Sequence, residues 1–309
     1  MTERRDEGSE RVEATVKNCY STWGTSYYSD YYGPNAPYPP VHVDLVTSLL
    51  RKTGARRVLD AGCGPASMMR HLSLPGVKLY GFDLTPEMVE EAKRVVAASG
   101  IGADRVWQGS VLSAEDFRAP AEARADYDCV VSCGVLPHIP VEHDVTVIEN
   151  LRRSLRPGGH AIVEGRNELF SLFTMNRYSH QFFLERLIPV EQLRADAGEE
   201  AAGLDLALEQ VKSMFRTDLP PVRKGKSTEP GYDEVLSRTH NPLVLKQQFE
   251  AAGFTDAKLY FYHFHTMPPM VSSNAPALFR RSSVAMEQNP EDWRGLFMAS
   301  AFFVVARAP

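Results

Sequence analysis

The stretch Val58-Leu59-Asp60-Ala61-Gly62-Cys63-Gly64-Pro65-Ala66 decides the fold. Val58, Leu59 and Ala61 form a short apolar run into two glycines spaced one apart, and the helix-compatible Ser67-Met68-Met69-Arg70-His71-Leu72 follows. The order predicted is strand, tight turn, helix. Glycines there let the backbone reverse without a Cβ in the way and let a ligand lie against bare peptide groups.

Working outward, residues 78–83 are a second apolar run that stops on Asp83, and Thr85-Pro86-Glu87 opens a helix with Thr85 as cap and Pro86 at its first position. Asp83 lies 19 residues beyond Gly64 (83 − 64). That is close to the ~20 expected when a Gly-rich turn and the acid at the next strand's tip share one nucleoside ligand. Strands are predicted over 105–111, 127–133 and 160–164, with a helix over 142–155 between the last two. Cys129-Val130-Val131 is continuously apolar, as suits a parallel strand covered on both faces. Alternating elements of these lengths imply a doubly wound α/β sheet, which binds ligands beyond the carboxyl ends of its strands.

The flanks differ in character. Residues 1–12 are polar and are expected to fray. Residues 19–33 hold five tyrosines and Trp23 among small polar residues; such a segment either packs over the domain or closes as a lid on a ligand. A helix is expected over 42–52, ended by Gly54. From Arg166 the pattern becomes broadly helical, with apolar stripes over 169–187 and 199–215 and a basic loop holding Arg223, Lys224 and Lys226. The expected domains are a lid and helix at 1–50, a ligand-binding domain at 51–165 and 241–309, and a mainly helical cap inserted at 166–240. A helix at 242–252 and strands at 257–265 and 296–306 complete the sheet.

Composition excludes several classes. The 309 residues are 43% hydrophobic and carry a formal charge of −5 from 34 basic and 39 acidic side chains, so there is no broad basic field for nucleic acid. Cys19, Cys63, Cys129 and Cys133 form no CxxC or zinc spacing, which favours reduced thiols. The charged N-terminus lacks a following apolar segment, and no run reaches the ~18 apolar residues of a membrane span. The expectation is a cytoplasmic protein, monomer or homodimer, with neither nucleic-acid nor membrane partners.

A Gly-rich turn with a strand-end acid fits either a nicotinamide dinucleotide or S-adenosylmethionine. A dinucleotide turn wants a third glycine where Ser67 stands, and the Asp60 carboxylate would repel a pyrophosphate while suiting an ammonium and a sulfonium. With these residues the chain resembles the class I S-adenosylmethionine-dependent methyltransferases. The family's Asp-x-Gly-x-Gly core stands as Asp60, Gly62 and Gly64, its ribose-binding acid as Asp83, and its position after the third strand as Ser110-Val111. Its segment after the fourth strand is Cys133-Gly134-Val135-Leu136-Pro137-His138-Ile139, and its turn before the fifth is Leu155-Arg156-Pro157-Gly158-Gly159. The resemblance implies a seven-stranded Rossmann-like sheet with the last strand antiparallel, and S-adenosylmethionine as methyl donor. It implies cofactor contacts from Leu84, Met88 and Cys133 beside the core residues, with Tyr28 added from the aromatic segment. The chain departs from the family in joining its last two strands through about thirty residues and in carrying the cap.

The implied reaction is displacement at an activated methyl by oxygen or nitrogen of a polar small molecule, a sugar derivative or specialised metabolite. Alignment supplies much of the rate, and a base helps when the nucleophile is a hydroxyl. His263 and His265, two apart on a strand, are expected to share one face and to supply a base or substrate ligand. His138 near the cofactor serves structure or catalysis. Tyr32, Arg166, Asn167 and His240 are candidates for holding the substrate. Two histidines with Glu164 or His240 fall short of a convincing metal set, and no metal is expected. A non-catalytic S-adenosylmethionine-binding protein and a nicotinamide-dependent oxidoreductase remain as alternatives.

Overall fold

The computed structural model describes residues 7–21, 28, 32, 39–72, 74–218 and 236–309. The basic loop at Arg223, Lys224 and Lys226 lies outside the described residues, as does the aromatic segment except at residues 19–21 and at Tyr28 and Tyr32. Contacts divide the chain into two compact units. One takes Met1–Arg166, Gly225–Tyr262 and Ala301–Pro309; the other takes Asn167–Lys224 and His263–Ser300.

In the first unit the elements run α1 (Glu7–Ser21), α2 (Val41–Thr53), β1 (Arg57–Ala61), β2 (Lys78–Asp83), α3 (Pro86–Ala98), β3 (Val106–Gln108), β4 (Tyr127–Ser132), α4 (Asp144–Ser154) and β5 (Leu155–Arg166). Later come α9 (Pro242–Ala251), β6 (Thr255–Phe264) and β7 (Ala299–Arg307). Among the described residues the strands form one seven-stranded sheet in the order β3-β2-β1-β4-β5-β7-β6. The strands from β3 to β5 pair in parallel, and β7 runs antiparallel to β5 with Glu164 opposite Phe303. Strand order reverses between β1 and β4, so the Asp60 turn sits at the topological switch point.

Burial follows the period of each element. Val43, Val46, Leu49 and Leu50 of α2 recur at helical spacing and pack with Val58, Cys129, Val131 and Ile162, which share one face of the sheet. Burying each such aliphatic side chain stabilises by roughly 1.5–3 kcal/mol. Gly54 ends α2 at φ 67, its N–H bonded to the Leu50 and Arg51 carbonyls.

Three expectations are corrected. The helix after the first glycine turn shrinks to a single 3-10 turn, Met69–His71, because Pro75-Gly76 and the start of β2 leave too few residues for more. Thr85 begins α3, but its side chain makes no capping bond; its hydroxyl is turned toward Asp83 instead. The N-terminal residues expected to fray include the start of α1, which runs from Glu7.

In the second unit, α5 (Ser171–Thr174), α6 (Arg177–Phe182), α7 (Val190–Asp196) and α8 (Ala201–Ser213) follow one another, and α10 (Pro276–Met286) and α11 (Gly295–Met298) come from the stretch before β7. Among the described residues no helix is long and apolar enough to cross a membrane.

Candidate active site

The turn after β1 is held by glycine geometry and by β2. Gly62 has φ 85, and a Cβ there would stand 2.3 Å from Val135 Cγ2, so no other residue fits without displacement. The Gly62 and Cys63 N–H groups both donate to the Phe82 carbonyl at 2.9 Å. Gly64 N–H donates to Asp83 Oδ2 and Thr85 N–H to Asp83 Oδ1, each at 2.9 Å, so one carboxylate clamps two loops. Burial pushes the Asp83 acid up, and those backbone donors oppose it.

Asp60 is different. It is 3% exposed, and its Oδ2 has no hydrogen-bond partner among the described residues. Burial, reinforced by the charge of Asp83, pushes its acid up to about 7. An orphaned buried carboxylate at a strand's carboxyl end suits a cationic ligand group.

Beside this turn is a partly open cavity, with about 830 Å³ of empty space when the open solvent at its mouth is included. Gly62, Gly64 and Pro65 line it from the first turn, and Phe82, Asp83, Leu84, Thr85 and Met88 from the end of β2 and the start of α3. Ser110 and Val111 line it from the loop after β3, and Cys133, Gly134, Val135 and His138 from the segment after β4. Helix α1 contributes Val12, Glu13, Val16 and Tyr20. Ser110 Oγ donates to Glu13 Oε1 at 2.5 Å, and Tyr20 Oη lies 3.0 Å from His138 Nε2. The four α1 residues were missed from sequence, although Val12, Val16 and Cys19-Tyr20 recur at helical spacing.

Of the expected cofactor contacts, Gly62, Gly64, Asp83, Leu84, Met88, Ser110, Val111 and Cys133 therefore face one cavity. Asp60 is not among the residues that line it, and neither is Tyr28. Tyr28 bonds His71 Nε2 through its hydroxyl at 3.1 Å, the Arg70 guanidinium sits 3.9 Å over its ring, and it stacks with Tyr32. Tyr32 in turn meets His42 edge-on.

The expectation for His263 and His265 is corrected. His263 has φ 55, a left-handed residue that breaks the two-residue alternation at the end of β6, and neither histidine lines the cavity. His265 packs on Phe170 with ring centroids 4.8 Å apart, and burial lowers its pKa to about 4. Asn167 is corrected too. It is buried, its Nδ2 donates to the carbonyls of Gly295, Leu296 and Ala299, and its Oδ1 accepts from Leu169 N–H, so its amide is committed to the fold. Arg166 ends β5 with its guanidinium on Ser237 Oγ, and the His240 N–H donates to the Arg166 carbonyl at 2.7 Å.

Residues 58–159, which hold the glycine turn, both acids and the β4 segment, match the family model described as a methyltransferase domain. Over this segment the chain is similar to the class I S-adenosylmethionine-dependent methyltransferases. Among curated methyltransferases it is 27% identical over 170 residues to a ubiquinone biosynthesis O-methyltransferase of Xylella fastidiosa, covering 53% of this chain and 65% of that protein. It is 30% identical over 160 residues to the protein of the same name from Xanthomonas oryzae pv. oryzae, covering 51% and 63%. The chain thus spans less than two thirds of the length of these relatives. Two solved methyltransferases share the fold. The magnesium protoporphyrin IX methyltransferase of Synechocystis PCC 6803 superposes with TM-score 0.50 at 16% identity over 96% of this chain and 100% of that one. A putative methyltransferase of Haloferax volcanii, solved with its activator Trm112, gives 0.52 at 15% identity over 95% and 99%.

Proposed function

We propose that the chain binds S-adenosylmethionine in the α1-covered cavity and moves its methyl to oxygen, or to nitrogen, of a polar small molecule such as a sugar derivative or specialised metabolite. The observation that carries the reading is the buried, unpartnered Asp60 oxygen beside a turn whose neighbouring acid, Asp83, is held ready by Gly64 and Thr85. Bound there, the donor supplies a methyl activated by cationic sulfur. In this reading Asp60 answers a cationic group of the donor from behind the glycine turn, and Asp83 accepts from ribose hydroxyls. Ser110, Val111 and Met88 offer mainly apolar contact to a base.

Tyr20 and His138 are the pair suited to the acceptor's proton. The His138 Nδ1–H donates to the Leu236 carbonyl at 2.6 Å, which leaves Nε2 as the acceptor for the Tyr20 hydroxyl. As the acceptor oxygen forms its new bond to carbon, its proton passes to the Tyr20 oxygen while the Tyr20 proton moves to His138 Nε2. The resulting imidazolium keeps its bond to Leu236. Curated relatives named O-methyltransferases support oxygen over nitrogen. Calorimetry with S-adenosylhomocysteine tests the donor site, and transfer of radiolabelled methyl to a panel of hydroxylated and aminated metabolites tests the reaction. Absence of S-adenosylhomocysteine binding overturns the reading; binding without transfer to any of the panel favours a non-catalytic binder.

A further inference from the structure

The end of β5 is laced to the donor cavity by residues 236–240. The Leu236 carbonyl accepts from His138, Arg238 N–H donates to the Pro137 carbonyl at 2.8 Å, and His240 N–H donates to the Arg166 carbonyl. Two guanidiniums come with this segment, and they differ in their partners. Arg238 is spent: it pairs with buried Asp144 at 2.5 Å and donates to the Ile139 carbonyl at 2.6 Å. Arg166, partly exposed, touches only Ser237 Oγ, and no carboxylate pairs with it among the described residues.

His240 supplies an independent observation. It is 6% exposed, and neither ring nitrogen has a hydrogen-bond partner among the described residues. Burial, aided by the charges of Arg238 and Arg166, lowers its pKa to about 4 and keeps the ring neutral. Leaving a buried donor and a buried acceptor unsatisfied costs about 1–3 kcal/mol each, a cost that a ligand removes. An uncommitted guanidinium fork at the carboxyl end of a central strand matches a planar or tetrahedral anion. An anion beside Arg166 would also cancel part of the positive field that bears on His240.

We propose that Arg166 and His240 form a subsite for an anionic group, a carboxylate or a phosphate, carried by the methyl acceptor. The guanidinium takes the anion's oxygens in pairs, and the imidazole N–H takes one more. Asn167, the next residue, is excluded from this role by its bonds to Gly295, Leu296 and Ala299. The inference rests on the reading of the neighbouring cavity as the donor site, because only then is the end of β5 where an acceptor lies.

The test uses the full chain saturated with S-adenosylhomocysteine and titrated with inorganic phosphate or benzoate, against sodium chloride of equal ionic strength. One of the two anions is expected to bind, which separates phosphate from carboxylate. Arg166→Gln is expected to weaken that binding roughly tenfold or more while S-adenosylhomocysteine affinity is kept. If Arg166→Gln does not fold, the ring resonances of His240 in the wild type decide: they shift on adding the bound anion if the subsite exists. No binding of either anion, equal binding by Arg166→Gln, or an unmoved His240 resonance overturns the subsite. Failure of S-adenosylhomocysteine to bind strikes the donor site instead, and is read separately.

Discussion

The Tyr20 hydroxyl lies 3.0 Å from His138 Nε2, on a ring whose Nδ1 is held by the Leu236 carbonyl at 2.6 Å. One imidazole therefore joins α1, the segment after β4 and the chain leading into α9. Its tautomer is set by the main chain, and its Nε2 lone pair is directed at a phenol lining the cavity.

Tyr20→Phe is expected to lower kcat about a hundredfold with S-adenosylhomocysteine affinity within about threefold of wild type, the scale of a lost proton acceptor. His138→Gln should show the same loss, and the double variant no more than either alone, because the two act as one relay. Steady-state kinetics and calorimetry check this. Additive losses, or a Tyr20→Phe enzyme of full kcat, would sink the relay.

Asp60 predicts opposite effects on binding and on stability. Its native pKa of about 7 lies above its unfolded value of 3.8, so the folded state binds more protons between those values and stability falls as pH rises through that window. Asp60→Asn should therefore stabilise the ligand-free protein at pH 7.5, by up to something on the order of 4 kcal/mol, while abolishing the S-adenosylhomocysteine-induced rise in Tm. Thermal melts with and without S-adenosylhomocysteine measure both. An Asn variant that is less stable and still binds contradicts the assignment.

Gly62→Ala places a methyl at φ 85 against Val135 Cγ2. Strain at such a residue is on the order of 1–3 kcal/mol before the overlap with Val135 is added. The variant should unfold at lower denaturant concentration and bind S-adenosylhomocysteine weakly; Gly62→Ala combined with Val135→Ala should recover part of the stability. Equilibrium denaturation of the two variants decides whether the close approach is the cause.

One buried histidine, His240, and two partly buried ones, His42 and His265, set the acid limit. His42, His240 and His265 are each lowered to about 4, with burial the leading cause. Here the unfolded chain binds more protons between about 4 and 6.5, so stability is lost as pH falls through that window. At roughly 3 kcal/mol apiece the sum rivals the whole stability of a typical domain, so unfolding is expected before all three protonate. Asp60, protonated in the same window, works the other way, and Asp60→Asn should steepen the acid transition. Circular dichroism from pH 7 to 4 follows it; a flat profile down to pH 4 would refute the neutral burial of these rings.

The glycine turn and the strand-end acid of the candidate donor site were legible in sequence because local backbone demands put them there. A turn that needs φ 85 at Gly62 and φ 52 at Gly64 must hold glycine, and an acid at a strand tip follows from its place in the run. The acceptor half was not. His263 and His265 look like a pair at the two-residue period, and only the left-handed backbone at His263 shows that the period stops. Asn167 looks like a polar reader of substrate, and only its bonds to carbonyls more than a hundred residues away show it to be a brace.

By itself, then, the sequence determined the alternating α/β order and the glycine turn, since each rests on residues adjacent in the chain whose steric and burial needs are read directly. Tertiary structure alone decided that α1 lines the cavity, that Tyr20 reaches His138 across 118 positions, and that Arg238 is paired with Asp144 while Arg166 is not. Such pairings depend on long-range closure of the chain, and no local propensity encodes which of two arginines will find the carboxylate.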